Sequence, residues 1–160
     1  MWWRLPKSQW QHRQGDGNRR GLKKIVDSGV PTGILAYCGG QPVGWCAIAP
    51  RSDFSRLQRS RILKPVDDEP VWSVVCFVIT KTFRRRGLTV ELLRAAVDYA
   101  AKHGARIVEG YPVEPKKSVV PDVFAYTGFA SAFTKAGFKE VARRSPTRPI
   151  MRYVLPNAGE

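Results

Sequence analysis

Histidine is scarce in this chain of 160 residues, which contains only His12 and His103. The two imidazoles are far apart in the sequence and show no spacing typical of a metal site. Neither belongs to an evident Ser/His/Asp arrangement. The sequence therefore predicts neither a bound metal nor serine-hydrolase chemistry.

Cysteine and long apolar runs are also sparse. Cys38, Cys46 and Cys76 are odd in number, lack paired metal-ligand spacing and fall inside predicted strands, as buried free thiols commonly do. Free thiols fit a reducing compartment. No apolar run is long enough to span a bilayer or to resemble a signal peptide. These absences predict a soluble, cytoplasmic protein with no membrane partner.

Acidic residues are few: 13 Asp and Glu stand against 27 Lys and Arg, for a formal net charge of +14 at pH 7. Such an excess predicts an anionic partner, which can be nucleic acid, an acidic surface or a polyphosphate cofactor. The basic residues are spread over segments 19–24, 51–64, 81–86 and 143–152. This spread favours a solvated basic surface with one cofactor site over a dedicated nucleic-acid surface. Chain length and the absence of a linker predict one domain, 1–160.

Residues 71–103 contain an apolar run, a basic turn and an amphipathic pattern. From 71 to 79 nearly every residue is apolar, β-branched or aromatic, which predicts a central strand covered on both faces. After the turn, apolar residues recur on one helical face, and Gly104 is placed to end the helix. That face consists of Leu92, Leu93, Ala96, Val97 and Ala100. We therefore expect a surface helix lying on a sheet.

The turn between this strand and this helix reads Arg84-Arg85-Arg86-Gly87-Leu88-Thr89. The first amides of a helix lack intrahelical acceptors and lie at the positive end of its dipole, so such a turn binds anions, and phosphate most readily. Gly87 allows close approach to a phosphate or a positive φ, and Thr89 can cap the helix or donate its hydroxyl. The pattern fits equally well an ordinary turn with solvated arginines.

The turn lacks the Gly-Lys-Ser/Thr ending of a P-loop and the three glycines of a dinucleotide fingerprint. It resembles instead the acetyl-CoA signature of the GNAT superfamily of N-acetyltransferases, Gln/Arg-x-x-Gly-x-Gly/Ala between a strand and a helix. Residues 84–88 match this signature, and Thr89 departs from it. The resemblance extends in element order from about residue 33 to residue 155. It implies a single-domain α/β fold, with a mixed, mostly antiparallel central sheet flanked by helices and a splayed central parallel strand pair.

The resemblance also implies that acetyl-CoA is the co-substrate. Its pantetheine arm would run along the exposed backbone of Phe77, Val78 and Ile79. Its pyrophosphate would rest on the amides of residues 84–89, where backbone geometry and charge supply the affinity.

An amine acceptor must be neutral to attack a thioester, so a positioned base or a water chain is useful. Glu109, the only acid of the strand predicted after the helix, is the first candidate base, although an acid at a strand end is also typical of an ion pair. Residues 133–138 resemble a second family signature, Tyr-x-x-x-Gly-Phe. Phe133 stands where many members carry a tyrosine proposed to protonate the leaving thiolate. Tyr111 and Tyr126 are candidate replacements for that acid, and each is equally typical of a packed aromatic residue.

The remaining segments are assigned from apolar periodicity and turn residues. Residues 1–5 are expected to form an edge strand or its stub, which would place the natural start of the chain upstream. Trp10 is expected to pack in the fold, or to contact the acceptor as the resemblance implies. The other predicted elements before the central strand are two short helices within 7–28, the second over 18–27, a hairpin of 33–37 and 43–49, and either a functional loop or a short helix around 54–61. Those after the central helix are a strand over 106–111 parallel to 71–79, a loop over 112–122, a helix over 127–136, and strands over 138–142 and 150–155.

The favoured function is acetyl transfer from acetyl-CoA to a primary amine of a small molecule or a peptide, by direct attack with both substrates bound. Two alternatives stay open. One is a basic nucleic-acid-binding module that uses the arginine turn on phosphates. The other is a GNAT-like domain that binds CoA without catalysis, because the family tyrosine is absent. The resemblance also allows a homodimer.

Overall fold

A six-stranded sheet forms the centre of the computed structural model, which describes residues 1–115 and 125–156. Its strands are β1 (Ile34–Cys38), β2 (Gln41–Pro50), β3 (Trp72–Ile79), β4 (Ile107–Gly110), β5 (Lys139–Arg143) and β6 (Pro149–Val154). Their order is β1-β2-β3-β4-β6-β5, and each neighbouring pair is antiparallel except β3 and β4. The predicted fold class, with its central parallel pair, is confirmed.

Helices flank this sheet. They are α1 (Lys7–His12), α2 (Asp16–Asp27), α3 (Ser55–Arg59), α4 (Leu88–Lys102) and α5 (Ala130–Lys135), with 3-10 turns at Arg51–Asp53 and Lys81–Phe83. The predicted helix at 127–136 begins three residues later than expected because Gly128 has a φ of +82°, which a right-handed helix does not accept. The loop predicted over 112–122 lies partly outside the described residues.

The N-terminal segment is not the predicted strand. The amides of Arg4 and Leu5 donate to the carbonyl of Met1 at 3.0 and 3.2 Å, which makes a turn. The ring of Trp2 meets that of Trp10 edge-on at 4.9 Å between centroids. The aromatic residues that suggested a strand instead pack against α1, and the backbone closes on itself rather than pairing with a strand.

β3 is covered on both faces, as its unbroken apolar run predicted. Val74 is fully buried in a cluster that includes α4, whereas Val75 is 2% exposed in a second cluster that includes Phe54 and Leu57. Successive strand residues point to opposite faces, so the two clusters lie on the two sides of the sheet. The strand that carries the candidate cofactor site is therefore packed between two hydrophobic layers.

The long helix α4 lies on the sheet through the predicted face. Its buried residues are Leu92, Leu93, Ala96, Val97 and Ala100. A Cβ on Gly44 of β2 would come within 3.1 Å of Leu88 Cδ2 and 3.2 Å of Leu92 Cδ1. The glycine therefore lets the first turn of α4 approach the sheet closely, and this contact positions the loop between β3 and α4.

Candidate functional site

The loop between β3 and α4 has a strained backbone. Arg84 is extended, with φ −67° and ψ 153°, Arg85 has a φ of 59°, and Gly87 is left-handed with φ 82° and ψ −1°. Within the described residues, Arg85 is the one non-glycine residue with a positive φ. This conformation costs a non-glycine residue roughly 1–2 kcal/mol. Such strain is found mainly at ligand clamps and active sites, and left-handed turns of this kind form anion-binding concavities.

The amides that open α4 have no hydrogen-bond acceptor within the described residues. The first to bond are those of Val90 and Glu91, which donate to the Gly87 carbonyl at 2.9 and 3.3 Å. Within 1–115 and 125–156, the amides of residues 85–89 donate no hydrogen bond. The N-cap residue of α4 is Gly87, and Thr89 lies inside the helix, so the predicted capping role of Thr89 is not observed. Free amides at the positive end of a 15-residue helix are well suited to an anion.

The arginines of this loop are exposed. Arg84 Nε donates to the Ile79 carbonyl at 3.1 Å, and the Arg86 guanidinium lies 5.6 Å from the ring centre of Phe83. A Cβ built on Gly87 would meet nothing within 4 Å. The loop therefore combines positive charge with open space directly over its backbone.

β3 and β4 separate next to this loop. Their parallel register covers only Trp72↔Val108, Ser73↔Glu109 and Val74↔Gly110. β4 ends at Gly110, but β3 continues to Ile79. Beyond Val74 the two strands no longer pair, which is the predicted splay. Val78, on the separated part, is 57% exposed.

The segment that follows the undescribed residues 116–124 lies beside the separated part of β3. The Phe77 amide donates to the Tyr126 carbonyl at 2.7 Å, and the Val113 amide donates to the Gly128 carbonyl at 2.8 Å. The expectation of an exposed backbone is therefore wrong for the Phe77 amide, because a distant segment supplies an acceptor. Val78 is exposed as a residue, and the path of a pantetheine arm along this stretch stays a prediction.

Phe133 lies in the core beneath the splay. It is fully buried, and its ring packs edge-on against Phe77 at 6.2 Å and Phe138 at 5.1 Å. A Cβ on Gly110 would collide with the Phe133 ring, so the glycine at the end of β4 makes room for it. The position that resembles the family's tyrosine therefore carries a packing side chain without a hydroxyl.

Glu109 belongs to a buried ion-pair cluster and is 0% exposed. Its Oε1 accepts from Arg51 Nη1 at 3.1 Å and from the Tyr111 hydroxyl at 2.7 Å, and its Oε2 accepts from Arg152 Nε at 2.7 Å. Arg152 in turn donates to both carboxylate oxygens of Asp67 at 2.6 and 2.9 Å. Both oxygens of Glu109 are thus occupied, and the geometry is that of the ion-pair alternative rather than of a base facing a substrate.

Tyr111 lies in the same cluster. Its hydroxyl is 2.8 Å from Ser73 Oγ and accepts from Arg51 Nη1 at 2.5 Å, in addition to its bond to Glu109. Burial raises the pKa of the Tyr111 hydroxyl, and the charge of Glu109 raises it further. Tyr111 and Glu109 are therefore brought together, but as members of a buried network.

Tyr126 lies in different surroundings, at the wall of a cavity of about 390 Å³. We call this the tryptophan cavity, because its walls include Trp2, Trp3, Trp10 and Trp45. Tyr126 is half-buried, and burial raises the pKa of its hydroxyl, while the positive charge of Arg148 opposes that shift. Of the three candidate catalytic residues, Tyr126 is the one that touches both the splayed strand, through the Phe77 amide, and a cavity.

The three cysteines are free thiols in strands, as predicted. Cys46 is buried, but Cys38 is exposed, so the expectation of burial is wrong for Cys38. In the part of the chain that the structure describes, no group of three or more His, Cys, Asp or Glu residues is placed to hold a metal ion. None of the helices found there is long and apolar enough to cross a membrane.

Comparisons with known proteins agree with this geometry. The model of the acetyltransferase (GNAT) family matches residues 1–115. No curated protein has a matching sequence. Similar solved structures include a GNAT-family acetyltransferase from Streptococcus agalactiae 2603, with a TM-score of 0.57 and 15% identity over 94% of this chain and 79% of that chain. They also include a ribosomal-protein-alanine N-acetyltransferase from Brucella melitensis, with a TM-score of 0.55 and 13% identity over 88% and 78%.

A third similar structure is the NatC complex bound to Gag peptide and CoA, with a TM-score of 0.51 and 11% identity over 87% of this chain and 78% of that chain. At such identities the structural likeness supports the fold alone. The family model supports the stronger conclusion of family membership, because it spans well over half of the sequence and includes both β3 and the loop that opens α4. The chain therefore belongs to the acetyltransferase (GNAT) family.

Proposed function

We propose that this protein is an acetyl-CoA-dependent N-acetyltransferase that transfers the acetyl group directly to a primary amine while both substrates are bound. The observation that carries the proposal is the loop that opens α4, where the amides of residues 85–89 have no acceptor within the described residues. Family membership supports acetyl transfer as the reaction class. CoA carries a diphosphate, which is the kind of anion that such a loop accommodates.

The residues present fit the diphosphate. Open space over Gly87 leaves room for phosphate oxygens against the backbone, and the exposed side chains of Arg85 and Arg86 add positive charge. In this proposal the pantetheine arm lies along the splayed part of β3, where Val78 is exposed. When bound, acetyl-CoA supplies the thioester, and the protein contributes alignment of the two substrates.

The acceptor amine must reach the thioester without its extra proton. An amine with the pKa of lysine is neutral in only about one molecule in 2,500 at pH 7. Glu109 is fully bonded, so it is not assigned the role of base. The apolar walls of the tryptophan cavity penalise a charged ligand and therefore favour the neutral amine, which is the reactive form.

This account predicts the pH dependence of the reaction. We expect kcat/KM for a simple alkylamine to rise by about tenfold per pH unit from about pH 6 to pH 9, because the neutral amine increases in that proportion. The Tyr126 hydroxyl adds no break in this range, because burial raises its pKa above the ordinary value of 10.0. Steady-state assays at saturating acetyl-CoA measure the slope. A plateau that begins near pH 7 would instead reveal a base on the protein.

The cofactor site is tested by placing a negative charge on Gly87. Gly87→Asp is expected to raise the Kd for CoA by about tenfold or more, since a carboxylate ~5 Å from a dianion in water costs ~1.7 kcal/mol. Isothermal titration calorimetry measures the Kd. Gly87→Asn separates charge from bulk and is expected to change affinity much less.

Gly104→Asp is the matched control. Gly104 follows the other end of α4, has a φ of +79° against +82° for Gly87, and likewise has nothing within 4 Å of a built Cβ. Both substitutions therefore carry the same backbone strain, and only the one at Gly87 is expected to weaken CoA. Equal affinities of the two aspartate variants for CoA would show that the diphosphate does not bind at this loop.

A further inference from the structure

We infer that the tryptophan cavity binds the acceptor and selects amines carried on an aromatic body, in preference to polyamines and basic peptides. The inference rests on the proposed function, because it names the class of the second substrate. The cavity volume of about 390 Å³ lies in the range that encloses small organic ligands. Four of the five tryptophans of the chain line it.

The aromatic walls are held in place by their neighbours. The rings of Trp2 and Trp10 are edge-on at 4.9 Å, and the guanidinium of Arg56 lies 3.5 Å from the ring centre of Trp2. Rings fixed in this way offer flat faces and edges at little cost in conformational entropy. A ligand with its own aromatic ring gains more from such walls than a flexible alkyl chain does.

The charges around the cavity disfavour a polycation. The described lining holds no carboxylate, and its one charged side chain is that of Arg4. Arg4 is paired with Asp53 at 3.1 Å and lies over Phe54 at 4.9 Å, so its charge is already balanced by a carboxylate that is not part of the lining. A second ammonium group on the ligand would be desolvated beside a guanidinium, with no counter-ion. A monoamine that enters neutral avoids this penalty.

The cavity adjoins β3, the strand along which the thioester is proposed to lie. Cys76 and Val75 of β3 line it together with Tyr126, whose carbonyl accepts from the Phe77 amide of the splayed strand at 2.7 Å. The amine nitrogen forms the new C–N bond with the acetyl carbonyl carbon, and the C–S bond breaks. The sulfur leaves with that electron pair, the amine loses one proton, and the products are the N-acetylated amine and the free CoA thiol.

An amine panel tests the selectivity. With acetyl-CoA saturating and the pH held at 8, kcat/KM is expected to be at least 100-fold higher for tryptamine and 2-phenylethylamine than for spermidine, propylamine or a lysine-containing peptide. A value for spermidine or the peptide within tenfold of that for 2-phenylethylamine overturns the inference. It does not affect the proposed acetyl transfer, which such a result would itself demonstrate.

Intrinsic fluorescence tests binding without turnover. Trp72 lies outside the cavity, against Tyr99 and His103, so Trp72→Phe leaves only the four indoles of the cavity wall. In this variant with CoA added, 2-phenylethylamine is expected to change the emission saturably, and spermidine is not. A saturable change without acetyl transfer to any amine supports the cavity assignment and contradicts the proposed function. No change with 2-phenylethylamine contradicts the assignment.

A charge placed in the wall provides the reciprocal test. Thr32 lines the cavity in the loop before β1, and Thr32→Asp is expected to shift the kcat/KM ratio of 2-phenylethylamine to spermidine at least tenfold toward spermidine. The matched control is Val30→Asp, two residues away, since Val30 is 42% exposed and is not part of the lining. A Thr32→Asp protein with an unchanged ratio contradicts the assignment, and the fluorescence titration decides the question if this variant fails to fold.

Discussion

Glu109→Gln is expected to lower the free energy of unfolding by about 3–5 kcal/mol, the usual cost of removing one partner from a buried ion pair. Arg51, itself 7% exposed, has Glu109 as its only carboxylate partner within the described residues. The amide would leave that guanidinium buried without a counter-charge. Arg152 would keep Asp67 but lose its bond to Glu109 Oε2. In a thermal scan the loss corresponds to a Tm lower by roughly 10 °C.

Glu91→Gln is the control for this substitution. Glu91 pairs with Arg94 at 2.9 Å on the surface of α4, where both side chains are more than half exposed. Exposed pairs contribute at most about 1 kcal/mol, so this variant is expected to unfold close to the parent. Urea titration and the kcat of the folded protein are measured for both. A Glu109→Gln protein of unchanged stability whose kcat falls 100-fold would restore Glu109 as a catalytic base and contradict the structural account.

Local patterns were sufficient to predict β3 and α4. An unbroken apolar run identified the strand that is buried on both faces, and a repeat of about 3.6 residues identified the face of the helix that lies on the sheet. Gly104 ends α4 with a φ of +79°, as its position predicted. Each of these features depends on neighbours within a few positions, so the residues themselves carry the information.

The buried charges could not be predicted in the same way. Arg51 and Arg152 belong to segments interpreted as basic surface, but they are 7% and 8% exposed. Their burial is compensated by Glu109 and Asp67, which lie on other elements of the chain. In the sequence, a charged residue that is buried cannot be told from one that is solvated, because burial is tolerable only through a partner that is distant in the chain. The catalytic role suggested for Glu109 rested on the same missing information.

The anion-binding part of the candidate site was predicted as a motif, whereas Trp10 and Tyr126 were the only members of the tryptophan cavity named from the sequence as candidate site residues. Residues 84–89 are contiguous, so their arginines and glycine were visible as a motif. The tryptophan cavity is assembled from Trp2 and Trp3, Trp10 of α1 and Trp45 of β2, which no spacing connects. The concentration of four of the five tryptophans within the first 45 residues was the one available signal.

Tyr126→Phe is expected to lower kcat by about 100-fold, at the lower end of what a positioned acid contributes. Burial raises the pKa of its hydroxyl, so the group stays protonated at neutral pH and can donate to the sulfur as the C–S bond breaks. Phenylalanine keeps the ring, and the backbone carbonyl still accepts from the Phe77 amide. The loss is therefore expected in kcat, with the KM for acetyl-CoA nearly unchanged.

The control is Tyr37→Phe, which removes a hydroxyl from a tyrosine that is 62% exposed on β1 and is expected to leave both constants unchanged. Single-turnover measurements of acetyl transfer to 2-phenylethylamine separate the chemical step from product release. Because Phe133 has no hydroxyl, a Tyr126→Phe enzyme with full single-turnover rate would mean that neither candidate position supplies an acid. Alignment of the two substrates along β3 would then have to account for the rate by itself.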